Sequence, residues 1–236
     1  MLLEKLRKEV LEANLELVRR GLVLYTFGNA SGIDREQGLI VIKPSGVDYD
    51  GMRPEHMVVT DLDGKVVEGE LHPSSDLDTH TLLYREFPQI GGIVHTHSEY
   101  ATSFAQAGLP IPAFGTTHAD YFYGPVPVTK PLMDEAITGS YVHETGLAIL
   151  ARFCGDNGSN VLDPLAVPAC LVSGHAPFVW GRDAEDAAHN AVVLEFVAKM
   201  AYRTILLQPE ARGVSQALLD RHYFRKHGSS ATYGQG

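Results

Sequence analysis

The sequence is poor in cysteine. Its 236 residues include two, Cys154 and Cys170. That excludes a disulfide framework, though not one bridge. Reduced thiols in a cytoplasmic protein are the expectation. No stretch reaches the ~18 consecutive apolar residues that span a bilayer, so no membrane partner is expected. The first twenty residues carry Glu4, Lys5, Arg7, Lys8 and Glu9 and lack the apolar centre of a secretory leader. Positive charge is also scarce: 19 Lys and Arg stand against 29 Asp and Glu, a formal net charge of −10. A basic surface for nucleic acid is excluded, and an anionic ligand must be held by local groups. There is no Walker or dinucleotide-type glycine pattern and no His-Glu-x-x-His. No nucleotide or hydrolase of that zinc type is implied. No repeat, low-complexity tract or linker divides the chain, so residues 1–236 are expected to form one α/β domain with a sizeable core.

Apolar residues recur at three- and four-residue steps over 2–20, which predicts an amphipathic helix ended by Gly21. Residues 22–26 read as a strand and 27–32 as a turn-rich loop. A second strand is expected over 39–42. Residues 57–60 and 65–68 flank Asp63-Gly64 as a hairpin. Helices are expected over 74–86, 99–107, 143–153, 184–207 and 214–226, and strands over 93–97, 169–173 and 178–180. Asp183 should cap the long helix, with Ala188, Val192, Phe196, Met200 and Ile205 on its apolar face. Five prolines in 109–131 predict largely loop and strand, and the polar composition of 155–164 predicts a loop.

The strongest chemical signal is Ile93-Val94-His95-Thr96-His97. On a strand, alternate side chains share a face, about 6–7 Å apart at Cα. Two imidazoles so placed can chelate a divalent metal. An isolated His-x-His is more often two ordinary histidines. His175, in the tight turn Ser173-Gly174-His175, is the leading third ligand. Asp76 is a fourth ligand or a nearby base, although an acid in a first helical turn needs no function. His80, one turn on, ranks below it. Gly28-Asn29, Ser45-Gly46 and Ser74-Ser75 can each present N–H and hydroxyl groups to a phosphate, with Lys43 as an adjacent cation. Singly, each is an ordinary turn. The loop Thr116-Thr117-His118-Ala119-Asp120-Tyr121-Phe122-Tyr123-Gly124 gathers titratable and aromatic groups, as does the tail around His222 and Tyr233.

Several stretches together resemble the L-ribulose-5-phosphate 4-epimerases of the class II aldolase/epimerase family. They are Phe-Gly-Asn at 27–29, Val-Ile-Lys-Pro-Ser-Gly-Val-Asp-Tyr at 41–49, Pro-Ser-Ser-Asp at 73–76 and Gly-Gly-Ile-Val-His-Thr-His-Ser at 91–98. The series continues with Gly-Thr-Thr-His-Ala-Asp-Tyr-Phe-Tyr-Gly at 115–124, Ala-Glu-Asp-Ala-Ala-His-Asn-Ala at 184–191, Arg-Lys-His-Gly at 225–228 and the closing Tyr-Gly-Gln. The resemblance implies a three-layer α/β/α fold around a central, mainly antiparallel sheet. It implies a four-fold homotetramer with active sites between subunits, and a small pentulose phosphate as substrate. It implies zinc, or another divalent ion such as Mn2+ or Co2+, on His95, His97 and His175 with Asp76 beside it. It implies a phosphate site from Gly28, Asn29, Ser45, Gly46, Ser74 and Ser75, with Lys43 adjacent. Asp120 and Tyr233 match its acid/base pair across the interface, with His222 nearby. The alternatives are an aldolase of the fuculose or rhamnulose phosphate type and a non-catalytic adducin-like module. Those aldolases generally carry glutamate where Asp76 stands and lack the 115–124 loop; adducin-like modules lose the histidines. The stretch around 154–164 is longer than in the family, and the turn at His175 reads Ser-Gly-His-Ala.

Overall fold

The computed structural model describes residues 1–155, 161–227 and 231. Seven strands form one sheet: β1 (Asn29–Asp34), β2 (Leu39–Ile42), β3 (Val58–Asp61), β4 (Val66–Glu68), β5 (Gly92–His95), β6 (Ala169–Leu171) and β7 (Pro177–Gly181). Their order is β4-β3-β2-β1-β5-β7-β6, and every neighbouring pair is antiparallel. Among the described residues, helices α1 (Glu4–Arg19), α2 (Leu77–Glu86), α3 (Glu99–Gln106), α4 (Thr116–Ala119), α5 (Asp134–Thr138), α6 (Tyr141–Cys154), α7 (Ala184–Leu207) and α8 (Gln216–His227) accompany the sheet, with a 3₁₀ turn at Pro54–His56.

The period-two alternation of the strands divides their side chains between two cores. Val41, Val59, Val94, Leu171 and Val179 face one side, where residues of α1, α3 and α7 cover them. Ile40, Ile42, Val58, Ile93, Phe178 and Trp180 face the other, covered by α2 and α6. The result is the three-layer α/β/α arrangement implied by the resemblance. Among the described residues, no helix is long and apolar enough to cross a membrane.

Residues 22–26 do not form a strand. Gly21 turns the chain at φ 69°, Leu22 folds back so that its N–H reaches the Leu17 carbonyl at 2.9 Å, and Leu24 and Tyr25 are exposed. The adjoining turn-like residues supply β1 instead. Asn29-Ala30-Ser31-Gly32-Ile33-Asp34 has poor strand propensity, but it lies between β2 and β5, and tertiary pairing overrides propensity. The hairpin and the long helices follow their predicted positions closely, while α2 starts at Leu77, later than expected. Asp183 caps α7 by accepting from the Asp186 N–H at 2.8 Å. The buried stripe of α7 runs through Ala187, Ala191, Leu194 and Ala198, and Phe196, expected inside, is 56% exposed.

Gly91 and Gly92 have a structural explanation. A Cβ at Gly91 would lie 2.1 Å from the Arg182 carbonyl oxygen, and one at Gly92 would lie 2.2 Å from that of Asp183. Only glycine lets the chain entering α7 pass this close to β5.

Candidate metal centre and acid/base cluster

Antiparallel register places Asn29, His95 and Phe178 side by side on β1, β5 and β7. Strand β5 ends at His95, so His97 lies on the irregular turn before α3 rather than on a continuing strand. The side chains converge all the same. The nearest ring nitrogens of His95, His97 and His175 all lie within 4.8 Å of one another, and the Nε2 atoms of His95 and His97 are 3.2 Å apart. His175 arrives from the turn between β6 and β7, where Gly174 adopts φ 72°.

Two of the three rings have a partner at Nδ1. His95 Nδ1 lies 3.0 Å from the Pro177 carbonyl and donates to it. His175 Nδ1 lies 3.0 Å from the Tyr141 hydroxyl. The Phe178 ring stacks on His95 at 4.3 Å. Burial lowers the pKa of all three histidines, favouring the neutral form that binds a metal. Three neutral imidazoles with converging nitrogens are a donor set suited to a borderline divalent ion such as zinc, leaving a position open.

Asp76 ends the chain's approach to α2 without capping it. Its Oδ2 accepts from the Asn29 amide at 2.7 Å. Burial alone would raise its carboxyl, but the imidazoles of His95 and His80 and the Asn29 bond outweigh burial and hold it below the usual carboxylate range. His80 is fully buried in a chain of its own, with Nδ1 2.7 Å from Ser31 Oγ and that oxygen 2.8 Å from the Tyr84 hydroxyl. Burial pushes its pKa down to about 4.

The three phosphate-type stretches gather around Lys43. The Ser74 N–H donates to the Lys43 carbonyl at 3.0 Å, and the Ser45 N–H to that of His72 at 2.9 Å. The Tyr49 hydroxyl donates to the Phe27 and Gly28 carbonyls at 2.9 and 3.1 Å. The Lys43 ammonium is buried and donates to the carbonyls of Thr26, Pro44 and Val47 at 3.4, 3.3 and 3.0 Å. Burial brings its pKa down to about 8. Lys43 thus ties the loops together from beneath, while Ser45, Gly46 and Ser75 stay exposed above it.

Asp120 belongs to a separate cluster. It follows α4 and accepts from His222 Nδ1 at 3.0 Å and from the Arg225 guanidinium at 2.9–3.1 Å. Lys226 Nζ is 3.7 Å away, and His227 donates to the Asp120 carbonyl at 2.8 Å. Burial alone would raise its carboxyl; Arg225 and His222 more than reverse this and hold it below its ordinary range. Neither Asp120 nor His222 hydrogen-bonds to the three histidines among the described residues. Tyr233, expected beside this cluster, lies outside the described residues.

A family model for the class II aldolase and adducin N-terminal domain matches residues 8–202. The chain belongs to this family. Similar solved structures include an L-fuculose 1-phosphate aldolase, 25% identical over 92% of this chain and 94% of that one, with a TM-score of 0.73. A putative aldolase/epimerase/decarboxylase from Klebsiella pneumoniae is 23% identical over 94% and 99%, with a TM-score of 0.69. An L-fuculose-1-phosphate aldolase from Thermus thermophilus is 23% identical over 87% and 97%, with a TM-score of 0.66.

In this class II aldolase domain, four contributors were not singled out as functional from the sequence. Tyr141, Phe178 and Arg225 act on a site residue across large sequence separations, which a single chain does not reveal. Glu195 accepts from the Tyr100 and Ala101 N–H groups at 2.8 and 3.0 Å, so a side chain of α7 caps α3 just after His97. Only the Arg-Lys-His-Gly stretch of the resemblance offered a signal for Arg225.

Proposed function

We propose that the protein is a metal-dependent L-ribulose-5-phosphate 4-epimerase, interconverting L-ribulose 5-phosphate and D-xylulose 5-phosphate by breaking and remaking the C3–C4 bond. The observation that carries this reading is the pairing of a three-imidazole centre beside an aspartate with a separate acid/base cluster on Asp120. The motifs shared with epimerases over the length of the chain support it.

His95, His97 and His175, with Asp76 adjacent, would hold the divalent ion. Such an ion supplies Lewis-acid stabilisation to the negative charge that develops on C2 and C3 oxygens. The backbone and side-chain groups of Gly28, Asn29, Ser45, Gly46, Ser74 and Ser75, gathered around Lys43, hold the phosphate, with Ser45, Gly46 and Ser75 the exposed members. A base takes the proton of the C4 hydroxyl, the C3–C4 electron pair passes to C3, and glycolaldehyde phosphate and a dihydroxyacetone enediolate result. The phosphate anchor keeps the aldehyde in place while it turns its other face, a proximity effect. C3 then re-forms the bond, and an acid returns a proton to the inverted C4 oxygen. Asp120 and Tyr233 are assigned these proton transfers, with His222 hydrogen-bonded to Asp120. The ion and Asp120 clusters would meet between subunits of a homotetramer.

A second reading, an aldolase acting on another ketose phosphate, is favoured by the fuculose-phosphate aldolase neighbours. The test is incubation of the zinc-loaded protein with L-ribulose 5-phosphate, with and without EDTA. Chelator-sensitive D-xylulose 5-phosphate without free fragments is expected. Accumulating glycolaldehyde phosphate and dihydroxyacetone would favour the aldolase, and no conversion would overturn the epimerase.

A further inference from the structure

We propose that Tyr141 is a positioning residue for the third histidine: its hydroxyl oxygen accepts the Nδ1 proton of His175 and commits Nε2 to the divalent ion. This rests on the metal-site reading above and adds a residue to it.

The three histidines are not equally supported. His95 is fixed on a strand, with Nδ1 on a backbone carbonyl and its ring against Phe178. His175 sits in a turn whose preceding glycine is left-handed. Its ring could present either nitrogen unless something selects one. The Tyr141 hydroxyl lies 3.0 Å from Nδ1, with ring centroids 5.9 Å apart. A tyrosine oxygen can accept that proton while keeping its own.

The tyrosine is itself held firmly. It is the first residue of α6, and Thr145 Oγ1 donates to its carbonyl at 2.9 Å. Thr79 Oγ1, on α2, donates to the Val142 carbonyl at 2.6 Å and pins the first turn of α6 to the helix that Asp76 precedes. One packed pair of helices therefore positions both Asp76 and the partner of His175. Outer hydrogen bonds of this type fix the tautomer and ring orientation of metal-bound histidines.

The test compares Tyr141→Phe with the wild-type chain. Zinc affinity is read by competition with a chromophoric chelator, and the visible bands of the Co2+-loaded proteins are recorded. Tyr141→Phe keeps the ring and removes the acceptor. Its zinc affinity should fall about 10-fold, its Co2+ bands should change, and unfolding of the metal-free protein should match wild type. Unchanged affinity and spectra would overturn the role of the hydroxyl. A loss of affinity appearing in Tyr141→Leu but not in Tyr141→Phe would overturn it too, in favour of simple packing. Failure of the wild-type chain to bind zinc would overturn the metal-site reading along with this one.

Discussion

The Asp120 carboxylate accepts hydrogen bonds from two side chains of α8, and Arg225 grips both of its oxygens. An aspartate with a lowered pKa gives stability that is present above its unfolded value and lost as pH falls through its folded value. Arg225→Gln should therefore lower the melting temperature at pH 7 by about 1–3 °C, because Arg225 is partly exposed and solvent weakens the pair. The difference should close as pH falls below the folded pKa of Asp120. Thermal melts of both proteins from pH 7 to 2 check this; a difference that grows on acidification contradicts it. At the metal centre, His97→Ala removes one of three converging nitrogens. Its zinc affinity should fall by more than about 100-fold, beyond the loss typical of an outer partner. Equilibrium dialysis with zinc gives the answer directly, and unaltered binding would remove His97 from the site.

Single elements show what was and was not legible in the sequence. His95 at the end of β5, His97 just beyond it and the His175 turn could be read because metal ligands must be particular residue types. The continuous apolar runs of β2, β5 and β7 announced themselves for the same kind of reason, since burial on both faces demands them. β1 was illegible because its strand state comes from its neighbours β2 and β5, not from its own residues. The role of Gly92 was hidden because the atoms that crowd it belong to residues 183 and 184. Gly92→Ala should destabilise the protein by about 2–3 kcal/mol or more through overpacking at the start of α7. Urea unfolding measures this; a change below about 0.5 kcal/mol, as at an ordinary surface site, would mean that α7 shifts freely. The segment containing α4 carries a pH signature. Burial pushes His118 down to about 4, and its Nδ1 has no hydrogen-bond partner. The unfolded chain binds this proton first, so stability should fall as pH drops from about 6.5 toward 4, by up to about 1.4 kcal/mol per unit. His118→Gln should flatten that slope in urea titrations at each pH; an unchanged slope would show that His118 is not responsible.

At the scale of the whole molecule, the chain carries two chemical clusters held by different elements. The histidines and Asp76 are set by β5, the β6–β7 turn and the start of α2, and Asp120 is set by α4 and α8. If the clusters meet only between copies, His97→Ala and Asp120→Asn chains should each lose activity yet complement when mixed and reassembled. Random mixing in a ring leaves roughly a quarter of the sites with both partners intact. Activity near that fraction supports shared sites, and none above the single variants contradicts them. The most direct test of the account is a zinc titration of the metal-stripped protein, with conversion of L-ribulose 5-phosphate to D-xylulose 5-phosphate followed at each addition. Activity should rise from the stripped baseline and saturate at one ion per chain. Full activity in the stripped protein, or no xylulose 5-phosphate at any loading, would contradict it.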